Sequence, residues 1–186
     1  DNLRRNKLFV NQKDGTFREE ARKWGIDDDG FSIQSYFFDY DNDGDLDLYV
    51  LTNHLQPKQN PNQYRPKITD GTALSTDRLY RNDYDSTLQH ARFTNVSAQA
   101  GILMEGFGLG LNIADINRDG WKDIYVTNDY LSDDLLWINN RNGTFTNKAA
   151  DYFKHTSASA MGNDIADINN DGLADIIALD MLPEDN

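Results

Sequence analysis

At 186 residues with 38% hydrophobic and 11% aromatic content, the chain carries enough apolar side chain to bury a core and lies outside the composition of disordered proteins. Its 31 acidic against 18 basic residues give a formal charge of −13, which repels phosphate backbones and anionic lipid surfaces and so argues against nucleic acid as a partner. With no cysteine there is neither a disulfide framework nor a thiolate zinc site, and no apolar run reaches the ~18 residues of a membrane-inserted helix.

In chain order, the opening DNLRRNKLFV lacks the apolar core of a signal peptide, so the signal of an exported protein would already have been removed. LFVNQKDGTF, Leu8 to Phe17, reads as strand, turn, strand, with Asp14-Gly15 supplying the tight-turn chemistry. SYFFDY then runs into DYDNDGDLD, Asp39 to Asp47, and on into the apolar LYVL. After a Pro-containing insertion, LYRN, Leu79 to Asn82, starts another strand. LNIADI leads into DINRDGWKD, Asp115 to Asp123, and IYVT; LWINNRNGTF, Leu136 to Phe145, aligns without gaps to the opening strand-turn-strand. NDIADI leads into the last acidic stretch, DINNDGLAD, Asp167 to Asp175, and IIAL.

The repeat is the controlling observation. Three stretches share the template D-x-[DN]-x-D-G-x-x-D between two strand-like segments, and each is followed by a strand-turn-strand where the chain continues. One repeat is thus four short strands. Asp115 and Asp167 lie 52 residues apart and Asp39 and Asp115 lie 76 apart; the excess falls in loops, as a repeated sheet tolerates. The expected organisation is one region of repeated four-stranded sheets over 1–186, the blades of a β-propeller in the resemblance given below. Residues 1–30 are the last two strands of one repeat, and 31–100 a repeat with its acidic loop at 39–47. Residues 101–153 are a repeat with a loop at 115–123, and 154–186 the first half of a repeat with a loop at 167–175.

Carboxylates at positions 1, 3 and 5, a Gly at 6 for the sharp turn, a carbonyl at 7 and a carboxylate at 9 make an oxygen cage suited to Ca²⁺, which takes six to eight hard ligands. The first loop offers Asp39, Asp41, Asp43 and Asp47 with the carbonyl of Asp45. The second offers Asp115, Asn117, Asp119 and Asp123 with the carbonyl of Trp121, and the third Asp167, Asn169, Asp171 and Asp175 with the carbonyl of Leu173. Ligand charge predicts tightest binding at the first loop. An EF-hand needs a bidentate Glu at position 12 and flanking helices, whereas position 12 is Val50, Val126 and Ala178. Mg²⁺ suits the cage less well, because it prefers compact octahedra that keep several waters.

These residues resemble the FG-GAP/VCBS repeats, the blades of integrin-α-like β-propellers. Phe107-Gly108 matches the family's Phe-Gly, and D-x-[DN]-x-D-G-x-x-D matches its Ca²⁺ loop position by position. The wording NKLFVNQKDGTF, WGI and FFDYDNDGDLDLYV is most similar to bacterial VCBS proteins that carry an ASPIC/UnbV region, relatives of animal cartilage acidic proteins. The Gly-Ala-Pro half of the motif is replaced by LTN, VTN and ALD, and Ser159-Ala160 stands where a third Phe-Gly would fall. The resemblance implies an all-β fold of four-stranded antiparallel blades within a larger propeller of about seven blades. It also implies about three structural Ca²⁺ ions, a secreted or bacterial cell-surface setting, and no catalytic residue set.

Other features carry less. The insertion HLQPKQNPNQYRPKITDG holds Lys58, Tyr64, Arg65 and Lys67; Tyr64 and Arg65 are the candidates for ligand contact, and a loop packed over the neighbouring blade is the favoured reading. Asp129, Tyr130, Asp133 and Asp134 read as a solvated loop, with a further cation site as the alternative. Trp24, Trp121 and Trp137 read as packing between blades, and His54, His90 and His155 show no metal spacing. The functional expectation is a calcium-binding extracellular module that engages protein or polysaccharide. The alternatives are a structural subunit of a surface complex or filament that contacts neighbouring subunits, and, less favoured, a polysaccharide-active enzyme. Direct membrane insertion is not expected.

Overall fold

The computed structural model describes residues 4–54, 65–129 and 132–181. Strands β1 (Phe9–Asn11) and β2 (Phe17–Glu19) form a hairpin that is followed by a single-turn helix, α1 (Ala21–Trp24). A four-stranded antiparallel sheet comes next, built from β3 (Ser32–Phe38), β4 (Asp47–Thr52), β5 (Arg78–Asp85) and β6 (His90–Asn95) in that spatial order. A second has the same order, with β7 (Gly108–Ala114), β8 (Asp123–Asn128), β9 (Leu135–Asn139) and β10 (Phe145–Asn147), and is followed by helix α2 (Ala149–Tyr152). The pair β11 (Ala160–Ala166) and β12 (Asp175–Asp180) is the last sheet. The fold is nearly all β, in four-stranded antiparallel sheets consistent with propeller blades.

The second strand of each complete sheet explains the apolar runs. Every residue of β4, DLYVLT, and of β8, DIYVTN, is buried. A strand covered on both faces reads as a continuous apolar run. Alternate residues feed opposite faces. Leu48 and Val50 join Tyr80 and Phe93 in a core shared with Ala21 and Ile26 beside the first hairpin. Tyr49 and Leu51 turn the other way, into the main core with Leu79, Leu111, Ile124, Val126, Leu135 and Trp137. Tyr125 and Leu136 face a third cluster with Ala149, against which Ile165 and Ile176 of the last hairpin pack.

First strands sit side by side, with β7 packed against both β3 and β11. Each pairs with its second strand through a register shift at the same place, at Ser32/Gln34, Gly108/Gly110 and Ala160/Gly162. Such bulges bend the strand, and here the bend recurs once per repeat. Gly108 has a steric reason to be glycine: a Cβ there would lie 2.2 Å from Leu51 Cδ1 of the neighbouring sheet.

Trp137 is buried between the two complete sheets, and Trp24 packs against Phe93 with ring centroids 6.3 Å apart. The two helices have no counterpart in the sequence reading. α1 ends at Gly25, whose φ of 79° lets its N–H turn back to the carbonyls of Ala21 and Arg22. Among the described residues no helix is long and apolar enough to cross a membrane.

Candidate metal centre

All three acidic loops join the first strand of a sheet to the second, so strands rather than helices flank each one. The loops share one backbone trace. Position 4 is left-handed in each, at Asn42 (φ 58°), Arg118 (59°) and Asn170 (61°), and so is the glycine at position 6, at Gly44 (95°), Gly120 (86°) and Gly172 (83°). Glycine reaches that region without the penalty a Cβ carries, which accounts for its place in the template.

In the first loop, Asp39, Asp41 and Asp43 bring one carboxylate oxygen each to within 4.8 Å of one another. Asp39 Oδ2 accepts the Gly44 N–H at 3.0 Å and Asp43 Oδ1 the Asp45 N–H at 3.0 Å. The Oδ1 atoms of Asp39, Asp41 and Asp45 are buried and have no hydrogen-bond partner among the described residues. Burial raises the carboxyls of Asp41 and Asp45 above their ordinary range, and the neighbouring aspartates add to it. Buried carboxylate oxygens without donors, two of them on the residues that converge, carry a large electrostatic cost, which a divalent cation relieves. The donor set is all oxygen and hard, as Ca²⁺ requires, so the residues present fit that ion.

Position 9 has a second task. Asp47 is fully buried and accepts the N–H of Tyr40 at 3.0 Å and that of Asn82, from the third strand, at 2.8 Å. Asp123 repeats the pattern with Ile116 and Asn139, both at 2.9 Å, and Asp175 accepts the Ile168 N–H at 3.1 Å. Each oxygen keeps a lone pair for a cation, since a carboxylate oxygen accepts twice. Burial pushes the Asp47 carboxyl up to about 7, and Asp123 moves in the same direction for the same reason.

Asn82 and Asn139 belong to the site although the sequence reading did not name them as site residues. Asn82 Nδ2 donates to the Leu46 carbonyl at 3.0 Å, and Asn139 Nδ2 donates to the equivalent Lys122 carbonyl at 3.3 Å. Asn139 Nδ2 also reaches the Tyr40 carbonyl of the first loop at 2.8 Å, tying one repeat's loop to the next repeat's third strand. The signal was the Asn shared by LFVN, LYRN and LWIN.

The second and third loops carry the same trace and oxygen set with Asn at position 3, so their donors also fit Ca²⁺. Their side chains are more self-satisfied. Asp115 accepts the N–H groups of Asp119 (2.9 Å) and Gly120 (2.8 Å), and Asp167 those of Asp171 (3.1 Å) and Gly172 (2.8 Å). Asn117 Nδ2 donates to Asp119 at 2.9 Å, and Asn169 Nδ2 to Asp171 at 3.1 Å. The N–H groups of Trp121 and Leu173, at position 7, cap Asp119 and Asp171 at 2.9 and 2.8 Å.

One expectation outside the loops needs correction. Asp134 is 1% exposed, not solvated: it accepts the Tyr125 hydroxyl at 2.7 Å and the Asn128 N–H at 2.9 Å. Asp129 is buried too, whereas Asp133 is exposed; Tyr130 lies outside the described residues. The insertion agrees with its favoured reading as a packed loop: Arg65, the alternative ligand candidate, forks onto the buried Glu105, with Nη2 to Oε2 at 2.8 Å and Nη1 to Oε1. Tyr64 and Lys58 lie outside the described residues. That pair, with the Glu105 N–H donating to the Ile68 carbonyl at 2.9 Å, packs the end of the insertion over the following repeat.

Fold and loops together define a protein built of repeated four-stranded blades with an acidic hairpin loop in each. Residues 1–50 and 115–178, more than half of the chain, match the FG-GAP-like repeat, and the chain belongs to that family. FG-GAP repeats build β-propeller modules that are often extracellular binding domains. No curated protein matches the chain.

Proposed function

We propose that the chain is a calcium-stabilised β-propeller module of the cell exterior that binds protein or polysaccharide through its blade faces and loops. The observation that supports it most is the set of three buried, donorless carboxylate oxygens at Asp39, Asp41 and Asp45. About three ions are involved, one per loop, with the first loop filled first. The bacterial VCBS type with an ASPIC/UnbV region is the finer assignment, and a secreted or surface-attached setting follows from it. Millimolar calcium outside cells suits modules that bind at ~10⁻⁴ to 10⁻³ M. A binding role is preferred to a catalytic one because the clustered carboxylates already have structural work. Asp47 and Asp123 cap backbone N–H groups, and Asp77 and Asp134 accept tyrosine hydroxyls.

The test is thermal melting with calcium and with a chelator, beside calorimetric titration of Asp43→Ala, which removes the position-5 carboxylate. Each site at tenfold saturation stabilises the fold by about 1.4 kcal/mol, so chelation lowers the midpoint by several degrees and D43A loses one ion. Equal midpoints with and without calcium would remove the basis of the proposal. A glycan array run beside a polysaccharide-degradation screen separates binder from enzyme, and turnover of any polymer overturns the binding role.

A further inference from the structure

We propose that Arg141 is a tethered counter-ion of the second loop, which therefore takes calcium only by displacing a guanidinium. The inference rests on the calcium reading above. Arg141 Nε donates to Asp119 Oδ2 at 3.0 Å. Its side chain is 57% exposed while that of Asp119 is 7% exposed, so the guanidinium covers a buried ligand carboxylate from the solvent side.

The repeats supply an internal comparison. Arg141 stands two residues after Asn139, and Lys13 stands two after Asn11. Both are left-handed, at φ 62° and 66°, and each donates its N–H to that asparagine's Oδ1 at 2.8 Å. The same turn thus presents a cation in two repeats. In the repeat whose loop keeps three donorless oxygens, the corresponding residue is Tyr84, which carries no charge. In the second repeat the turn places its cation on position 5; in the first repeat the same turn position offers none to Asp43. An exposed ion pair of this kind is weak and yields to a divalent ion at a severalfold loss of affinity.

Trp121, at position 7 of the loop, gives this site an optical readout. Terbium, which takes calcium sites, luminesces when energy passes from a nearby indole; because Asn42 of the first loop lies 3.5 Å from the Gly120 carbonyl, the second loop's share is the part of the tryptophan-excited signal that D119N removes. The whole chain is titrated with terbium as wild type, R141Q, R141K and D119N. The expected result, for the part of the signal that D119N removes, is a midpoint about fivefold lower in R141Q, from loss of a competing surface charge, with R141K near wild type. Should R141Q titrate like wild type while D119N loses the signal, Arg141 does not compete, and the calcium reading stands without it. Calorimetric calcium binding with no tryptophan-sensitised signal in wild type or R141Q would place the ions elsewhere and also overturn the proposal. Absence of both heat and luminescence would remove the calcium reading itself.

Discussion

Tyr49 donates its hydroxyl to Asp77 at 2.8 Å, and one repeat later Tyr125 donates to Asp134 at 2.7 Å. Each aspartate stands one residue before a third strand and also accepts an N–H from the end of the second, Thr52 at 2.8 Å or Asn128 at 2.9 Å. A buried carboxylate thus stitches the second strand to the third where the ladder between them has ended. Burial pushes Asp77 up to about 7 and raises Asp134 as well, while the Tyr49 hydroxyl is held well above its ordinary value.

The raised Asp77 makes stability depend on pH. In the unfolded chain this carboxyl titrates near about 4. Between there and about 7 the folded protein keeps a proton that the unfolded chain has lost. The contribution of Asp77 is therefore full below about pH 4 and is lost as pH rises toward 7, by an amount on the order of a few kcal/mol. Asp77→Asn keeps the shape and removes the titration. The melting temperature of wild type minus that of D77N, at fixed saturating calcium, is expected to fall across this window; a constant difference would contradict it.

Gly108 and Leu51 test how closely the two complete sheets pack. With a Cβ due 2.2 Å from Leu51 Cδ1, Gly108→Ala should destabilise the protein by about 1–3 kcal/mol. Leu51→Ala alone should cost about 2–5 kcal/mol. In the double variant the cavity accepts the new methyl, so the combined loss measured by urea unfolding should be clearly less than the sum. Strict additivity would mean that the interface relaxes in some other way.

These pairings show what a single sequence makes legible. Three copies of one nonapeptide and the gapless match of LFVNQKDGTF to LWINNRNGTF are local patterns, and from them the four-stranded sheets and the trace of the loops could be read. Asp134 was misread because DYLSDD looks like a solvated turn, while its burial depends on Tyr125 in the preceding strand and on a neighbouring sheet. The recurrence of D-x-L-x-x-N at Asp77 and Asp134 was the available signal. The packing of the insertion over the next repeat was expected, but the Arg65–Glu105 pair that does it was not legible, since the partners are forty residues apart. Helices of four residues leave no periodicity to detect.

The Arg65–Glu105 fork should matter for stability rather than for ligand capture. Burial raises the Glu105 carboxyl, but the Arg65 guanidinium and the Ile68 N–H outweigh it and hold the group below its usual range. Arg65→Ala leaves a buried carboxylate without its cation and should destabilise by about 1–3 kcal/mol, the partial exposure of Arg65 limiting the loss. Adding Glu105→Gln should recover part of it, because a neutral amide oxygen still accepts the Ile68 N–H. Thermal melting decides the matter: R65A melting like wild type would return Arg65 to the ligand candidates.

Asn139 and Asn82 should control the loops unequally. Asn139→Ala deletes the donors to the carbonyls of Tyr40 and Lys122 and the acceptor for the Arg141 N–H, from a side chain buried between the sheets. A loss of about 1–3 kcal/mol is expected, with Asn139→Asp worse because it turns an acceptor toward two carbonyl oxygens. Asn82→Ala frees only the carbonyl of the exposed Leu46 and should cost less. Since Asn139 holds a carbonyl in both the first and the second loop, N139A should weaken calcium at two sites and N82A at one, as read by calorimetric titration beside urea unfolding. If both variants lose stability while their titrations overlay the wild type, the asparagines hold the sheets together but do not shape the loops.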